Sequence, residues 1–261
     1  MRPIADLSRS DCRGLLGIFC DIDDTLTWEG ELVPGAIEAL YAARDAGLRV
    51  VPITGRPAGW VDHIARMWPV DGVVGENGGL WFYMKNRAMQ RRFQQSAAER
   101  RANRERLTEL GALILHKVPG TALASDQPYR ELDLAIDFCE DVPRLPPEAI
   151  TAIEGHFHAA GATCKVSSIH VNGWYGDFDK LLGCKAFVRD CWGEELDVNK
   201  WAYFGDSAND EPMFAAFPTS IGVANVRDFL DRMDSHPKWV CAGNGGHGFA
   251  EGVRVILDHR T

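Results

Sequence analysis

Short apolar runs alternate with a helical pattern in the first part of the chain. Residues 15–20 form a continuous apolar segment and residues 48–53 form the next apolar run, as expected for strands buried on both faces. Residues 34–46 between them carry apolar side chains at helical spacing, with a proline suited to a helix first turn and Gly47 as a stop. A strand, a helix and a strand at this spacing predict a right-handed parallel crossover.

Three more short apolar runs, at residues 73–74, 201–204 and 220–223, have the same character. Runs of this kind, separated by helical patterns, are typical of a parallel sheet covered by helices on both faces. We therefore predict an α/β fold with a Rossmann-like parallel-sheet core.

The middle of the chain has a different pattern. It predicts a compact α+β unit, the inserted cap domain at residues 84–166, between two core segments at residues 1–83 and 167–261. The segments that carry this prediction are helical at 94–110 and 146–160 and extended at 131–138 and 162–171.

Composition narrows the classes of partner. The 261 residues are 46% hydrophobic and 25% charged, as in ordinary globular proteins. A net charge of −9 argues against a nucleic-acid or membrane partner, since both favour clustered lysine and arginine. Seven cysteines without a C-x-x-C spacing indicate reduced thiols. The longest N-terminal apolar run is too short for a membrane span, so we expect a cytoplasmic protein.

Polar, reactive residues follow four of the predicted strands. Ligands bind beyond the carboxyl ends of strands in such sheets, so we expect these segments to meet in one crevice. Carboxylates that converge there need a cation, and Mg²⁺ prefers oxygen ligands. We expect the Asp21 and Asp206 carboxylates and the Asp23 carbonyl to bind it. The segments are Asp21-Ile22-Asp23-Asp24-Thr25, Thr54-Gly55-Arg56, Glu76-Asn77-Gly78-Gly79 and Gly205-Asp206-Ser207-Ala208-Asn209-Asp210.

Four of these features, in this order, resemble the motifs of the haloacid dehalogenase (HAD) phosphatases. They are the segment 21–25, Thr54, Lys180 and the segment 205–210. The resemblance implies that Asp21 attacks phosphorus to form an aspartyl-phosphate. It also implies that Asp23 protonates the leaving group and then activates water.

Thr54 and Lys180 would contact the oxygens of the transferring phosphoryl group. Leu181 departs from the family, which often has glycine after this lysine, and Lys185 is a rival that would lie on another helix face. Asp210 would be a further carboxylate of the metal site, and Asn209 would orient its loop.

The position of the insert resembles HAD subfamily IIB, which carries a large α+β cap (C2-type) at that point. Glu76-Asn77-Gly78-Gly79 is similar to a signature of the same branch. That branch includes sucrose-phosphate, mannosylglycerate-phosphate and trehalose-phosphate phosphatases, and also phosphomannomutases.

Further substrate contacts are expected near the crevice and at the return from cap to core. Residues 170–177 would grip substrate or act as a hinge with a packed tryptophan. We interpret the basic residues between 85 and 106 as solvent-exposed helix faces. The candidate substrate-binding residues are Thr54, Gly55, Arg56, Asn77, Gly78, Trp174, Asp177 and Lys180.

The function expected from these features is Mg²⁺-dependent hydrolysis of a small phosphomonoester, with a sugar phosphate as substrate. A phosphomannomutase-like phosphomutase and a catalytically silent binding module are the alternatives. Dehalogenase chemistry is disfavoured because it does not need Asp23 as an acid. No pattern indicates an oligomeric state.

Overall fold

The computed structural model describes residues 1–260, which form a parallel α/β core and a smaller antiparallel layer. The strands are β1 (Arg2–Pro3), β2 (Gly17–Cys20), β3 (Thr27–Trp28), β4 (Glu31–Leu32), β5 (Arg49–Pro52), β6 (Val73–Gly75), β7 (Leu80–Lys85), β8 (Ala88–Phe93), β9 (Ala122–Leu123), β10 (Asp133–Asp137), β11 (Thr163–Val166), β12 (His170–Trp174), β13 (Trp201–Gly205), β14 (Thr219–Gly222) and β15 (Trp239–Val240). The α-helices are α1 (Arg9–Cys12), α2 (Pro34–Asp45), α3 (Ala58–Met67), α4 (Ala97–Lys117), α5 (Pro147–Ala159), α6 (Lys180–Trp192), α7 (Glu211–Ala216) and α8 (Gly245–Arg260).

The central sheet has six parallel strands in the order β1-β15-β14-β13-β2-β5. At its middle, Phe19 of β2 pairs with Val51 on one side and Tyr203 on the other. Every residue of β2 and β13 is buried, which is why these segments are apolar without alternation. The predicted parallel core is confirmed.

Helices cover both faces of this sheet. Ile18 packs in a cluster with residues of α2, α3 and α8, whereas Phe19 packs in a second cluster with residues of α6 and α7. Successive side chains of a strand point to opposite faces, so β2 contributes to both clusters. The carboxyl ends of the strands are left free for polar residues.

An antiparallel hairpin extends the sheet beyond β5. A parallel bridge between Ile53 and Val74 joins β6 to the sheet edge, and β7 and β8 follow in antiparallel order. The order β6-β7-β8 therefore continues the core.

The smaller layer, residues 97–174, is here called the cap layer. Its sheet has the order β11-β12-β10-β9, and α4 and α5 cover one face. Leu134 and Ile136 of β10 and Val171 of β12 point into the apolar cluster beneath these helices. The opposite face of β10 and β12 is turned toward the core and carries polar side chains.

The predicted cap limits at 84 and 166 fall inside paired structure. The first lies within β7, and the second separates β11 from its partner β12. Because paired strands form one cooperative unit, we propose that the cap domain corresponds to the cap layer, with the hairpin β7–β8 in the core.

The single strand predicted at 162–171 is wrong, since this segment forms two strands, β11 and β12. A tight turn separates them, in which the Ser167 backbone N–H donates to the His170 carbonyl (2.8 Å) and the Ser167 hydroxyl accepts from the His170 N–H (3.0 Å). Serine side chains favour such turns. The predicted helices at 34–46, 94–110 and 146–160 correspond to α2, α4 and α5.

Within residues 1–260, no helix combines the length and the apolar character needed to cross a bilayer. All seven cysteines are free thiols, and five of them are buried.

Candidate active site

Three neighbouring strands of the core deliver the main acidic and hydroxyl side chains to one edge. Asp21 follows β2, Thr54 follows β5 and Asp206 follows β13, and these strands are adjacent in the order β13-β2-β5. Because the strands are parallel, their carboxyl ends lie together.

Lys180 joins the Asp21 loop (residues 21–25) to the Asp206 loop (residues 206–210). It is the first residue of α6, whose N-cap is Asp179, and it is almost fully buried. Its Nζ lies 3.0 Å from Asp21 Oδ1 and 2.6 Å from Asp210 Oδ1. A buried ammonium between two carboxylates offsets part of their mutual repulsion.

Asp210 has hydrogen-bond donors on both carboxylate oxygens. Oδ1 accepts from Lys180 and from the Tyr203 hydroxyl. Oδ2 accepts from the backbone N–H groups of Asp206 (2.9 Å) and Ser207 (3.2 Å). These bonds fix the loop that carries Asp206, which is a positioning role.

The site has oxygen ligands for a hard cation. Carboxylate oxygens of Asp21, Asp206 and Asp210 lie within 4.8 Å of one another. Asp206 Oδ1 accepts from the Thr25 hydroxyl (3.2 Å), whereas the buried Asp206 Oδ2 has no hydrogen-bond partner among residues 1–260. A buried carboxylate oxygen without a donor is costly unless a cation meets it. The donor set therefore fits Mg²⁺.

The raised pKa values of the acidic cluster also indicate a site for a cation. Burial raises the pKa of Asp21 to about 8; Lys180 opposes this rise and the Asp210 carboxylate adds to it. Burial, followed by the charges of Asp210 and Asp21, also raises the pKa of Asp206 well above its ordinary value. A bound divalent cation would reverse both effects by favouring the ionised carboxylates.

Asp23 faces the same edge and is held by Arg56. Arg56 Nε lies 3.0 Å from Asp23 Oδ1 and 3.1 Å from Oδ2, and Arg56 Nη2 lies 2.8 Å from Oδ1. Arg56 was predicted to contact substrate, but its guanidinium is paired with carboxylates.

Thr54 and Asn77 shape the loop between β5 and α3. The Thr54 hydroxyl accepts from the Arg56 backbone N–H (2.9 Å), and the Asn77 N–H donates to the Thr54 carbonyl (3.1 Å). Asn77 has a φ of 54°, in the left-handed region that asparagine tolerates. The buried Asn77 Oδ1 has no partner among the described residues and adjoins Gly55.

Gly78 lies against the start of α6. It has a φ of +100°, and a Cβ there would collide with the carbonyl oxygen of Asp179. Only glycine permits this approach, so the Glu76-Asn77-Gly78 turn determines where Lys180 begins its helix. Gly78 therefore acts through the backbone; it does not touch the cavity described below.

Glu76 ties the core to the cap layer. Its buried carboxylate accepts backbone N–H bonds from Ala58 at the start of α3 (3.0 Å), and from Glu131 (2.8 Å), Leu132 and Asp133 (3.2 Å) at the start of β10. One side chain thus fixes two segments that are far apart in sequence.

A second link runs through Arg130, which is fully buried. Its Nη1 donates to the Gly55 carbonyl (2.8 Å) and to Asp133 (2.9 Å), and its guanidinium also binds Asp126. Asn172 Nδ2 donates to Asp133 Oδ2 (2.9 Å). The polar face of the cap sheet is therefore fastened onto the loop after β5.

A small cavity lies between the Asp21 loop and the cap layer. Asp21 and Asp23 line one wall, and mostly polar side chains of the cap layer line the other. It is lined by Asp21, Asp23, Gly55, Arg56, Ser167, Ser168, Ile169, His170, Asn172 and Asn209.

Two more predicted substrate contacts, Trp174 and Asp177, also lie outside the cavity lining. Trp174 is 1% exposed, donates its Nε1–H to the Phe178 carbonyl (3.2 Å) and stacks on the Phe178 ring. It is a core residue, in agreement with the alternative of a packed tryptophan. Asp177 is exposed to solvent in the segment between β12 and α6.

The segment 170–177, expected to grip substrate or act as a hinge, contributes His170 and Asn172 to the cavity, whereas the neighbouring lining residues 167–169 were missed. His170 and Asn172 lie on β12, and alternate side chains of β12 and of its partner β10 are polar although both strands are buried. Polar alternation within buried strands was the available signal, because such side chains must face a partner or a site.

The family model of haloacid dehalogenase-like hydrolases matches residues 18–109, which include Asp21 and Thr54. The chain resembles this family over that segment. It is 28% identical to a phosphoglycolate phosphatase of Methanoculleus marisnigri over 239 residues, which is 90% of this chain and 93% of that protein.

Solved structures of other proteins have the same fold. A Thermoplasma acidophilum protein superimposes with a TM-score of 0.72 at 20% identity, over 93% of this chain and 98% of that chain. A sugar phosphatase of HAD subclass IIB superimposes with a TM-score of 0.63 at 14% identity, over 91% and 97%. The predicted family resemblance and fold class are confirmed.

Proposed function

We propose that this protein is a Mg²⁺-dependent phosphomonoesterase that works through an aspartyl-phosphate on Asp21. The observation that carries the proposal is the position of Asp21 and Asp23 on one cavity, with Lys180 Nζ 3.0 Å from the nucleophile. A nucleophilic carboxylate, a second carboxylate two residues on and a buried cation are the groups that two-step phosphoryl transfer needs.

The Asp21 and Asp206 carboxylates and the Asp23 carbonyl would hold Mg²⁺. When bound, the ion would offset the charge of the phosphoryl oxygens. We propose that Asp210 orients this site without binding the ion, because four donors already occupy its oxygens.

The chain's own residues carry the two steps. An Asp21 oxygen bonds to phosphorus as the bond to the leaving oxygen breaks, and Asp23 gives its proton to that oxygen. Asp23 then takes a proton from water, whose oxygen bonds to phosphorus and releases Asp21. The Lys180 ammonium and the Thr54 hydroxyl stabilise the phosphoryl oxygens. The Thr54 oxygen accepts from the Arg56 N–H, and its own hydrogen can be donated to the phosphoryl group.

The substrate is small and polar. The cavity is small, and hydroxyl, amide and imidazole groups of the cap layer line it. These features suit a sugar phosphate, as predicted, and equally a short phosphorylated hydroxy acid such as phosphoglycolate, the substrate named for the Methanoculleus relative.

Release of inorganic phosphate tests this function. The panel is 2-phosphoglycolate, glucose 6-phosphate and p-nitrophenyl phosphate, each with Mg²⁺ and with a chelator. We expect Mg²⁺-dependent release that is abolished by Asp21→Asn. Release that persists in the chelator would refute the metal role, and no release from folded wild type would favour the phosphomutase or binding-module alternatives.

A further inference from the structure

One guanidinium, that of Arg56, is shared between the core and the cap layer. On the core side it binds Asp23 through Nε and Nη2, at 2.8–3.1 Å. On the cap side its Nη2 lies 2.7 Å from Glu140 Oε1, and its Nη1 lies 3.4 Å from both Glu140 and Asp126. The same nitrogen, Nη2, therefore bridges Asp23 and Glu140.

Glu140 is held firmly in the cap layer. It lies in the loop after β10, where the Asp137 carboxylate accepts from three successive backbone N–H groups, those of Cys139, Glu140 and Asp141, each at 2.8 Å. Its Oε2 lies 2.9 Å from His170 Nε2 on β12. A loop fixed in this way presents the Glu140 carboxylate at one place.

Glu140 is also a permanent anion. Burial opposes its ionisation, but hydrogen bonds from His170 and Arg56 outweigh burial and lower the pKa of Glu140 to about 2. The cap layer thus offers Arg56 a fixed negative charge at any pH near neutrality.

The Asp23 carboxylate needs such support. Its side chain is 21% exposed, and Arg56 donates to both of its oxygens. A planar guanidinium fixes a carboxylate only if the guanidinium is itself held, and Glu140 holds this one by sharing Nη2 with Asp23 and lying 3.4 Å from Nη1. The Trp60 ring, 4.6 Å from Arg56 Cζ, limits the third direction.

We infer that Arg56 and Glu140 are positioning residues that place the Asp23 carboxylate for proton transfer only while the cap layer rests on the core. This inference rests on the proposed function, since it gives Asp23 the role of acid and base. Opening the cap would move Glu140 away from Arg56, so that Asp23 alone would hold the Arg56 guanidinium. The Asp23 carboxylate would then no longer be fixed beside the leaving oxygen. Proton transfer would then be confined to the closed, substrate-filled site.

The leaving group of the substrate distinguishes positioning from a general structural effect. An alkyl phosphate, such as 2-phosphoglycolate or glucose 6-phosphate, needs a proton on its leaving oxygen. p-Nitrophenyl phosphate does not, because the nitro group stabilises the phenolate. Misplaced Asp23 should therefore slow the first step, phosphoryl transfer to Asp21, far more for the alkyl esters than for the aryl ester.

The test compares Glu140→Ala with Glu131→Ala. Glu131 is the matched control: it is also a carboxylate of the cap layer, paired with Arg100 (3.6 Å) and Arg104 (3.8 Å), and it does not touch Arg56. We expect Glu140→Ala to lower kcat/KM for the alkyl esters about 10- to 100-fold, as for a displaced catalytic group, and to change kcat/KM for the aryl ester less than about threefold. The ratio kcat/KM is compared because it reports the first step, whereas kcat also includes the later attack of water, which needs Asp23 with either ester. Glu131→Ala should leave both unchanged.

Two further variants distinguish a loss of positioning from a loss of the folded structure. Glu140→Gln keeps an acceptor oxygen and should recover part of the alkyl activity, whereas Arg56→Lys keeps the charge but loses the fork and should repeat the alkyl-selective loss. Thermal melts report the fold of each variant. Equal losses on both ester types, or no loss on either, in folded Glu140→Ala and Glu140→Gln would overturn the inference. Wild type that hydrolyses neither ester would instead refute the proposed function.

Discussion

Removing divalent cations should make the stability of the protein fall as pH rises. Asp21, Asp206 and Asp210 are buried together and share one cation, Lys180. Burial raises the pKa of Asp21 to about 8, from an ordinary value of 3.8. In the absence of Mg²⁺, the folded protein therefore retains a proton that the unfolded chain has already released.

The sign and size follow from proton linkage. Between pH 4 and pH 8 the folded state binds more protons than the unfolded state, so the free energy of unfolding falls with pH. One proton corresponds to about 1.4 kcal/mol per pH unit, and the loss flattens as Asp21 itself ionises near pH 8. From pH 6 to pH 8 the metal-free protein should lose about 2 kcal/mol, which lowers Tm by roughly 4–8 °C.

Adding Mg²⁺ should reverse this loss. At 100 times its Kd, the ion adds about 2.7 kcal/mol. The gain should be larger at pH 8 than at pH 6, where binding must displace the proton. Tm would be measured by circular dichroism from pH 6 to pH 8, in EDTA and in MgCl₂. A Tm in EDTA that stays level or rises, or an equal Mg²⁺ shift at both pH values, would refute the reasoning. Asp206→Asn should shrink the Mg²⁺ shift.

Two substitutions test the backbone and the charge of the site. Gly78→Ala should destabilise the protein by about 3 kcal/mol, because the φ of +100° is strained for alanine and the added Cβ would meet Asp179. The control, Gly155→Ala on an open helix face, should be neutral or mildly stabilising. Urea unfolding measures the stability of both variants. Lys180→Gln should lower kcat on p-nitrophenyl phosphate about 100-fold or more, because it removes the cation beside Asp21. Lys185 is exposed, so Lys185→Gln should retain activity. A large loss of activity in the Lys185 variant would contradict the assignment of Lys180.

The core half of the site could be predicted from sequence because its signals are local. Asp21 and Asp206 directly follow short apolar runs, and a parallel sheet brings the ends of such strands together. Lys180 required the order of the motifs as well, since its neighbours Asp21 and Asp210 are distant in the chain.

The cap half could not be predicted in the same way. Glu140 lies in an acidic loop with no periodicity, and its partner Arg56 is 84 residues away. The role of Trp174 depended on which face of β12 it occupies, and that is determined by pairing with β10. Register and packing between layers fix such residues, and neither is written in a short motif.

The covalent intermediate on Asp21 is the central claim, and trapping it is the most direct measurement. Asp23→Asn would be mixed with p-nitrophenyl phosphate and Mg²⁺, quenched in acid, digested and analysed by mass spectrometry, with Asp21→Asn as the control. We predict one phosphoryl group on the peptide that contains Asp21, and none in the control. A phosphoryl group on another residue, or turnover without a phosphorylated Asp21 peptide, would contradict the account.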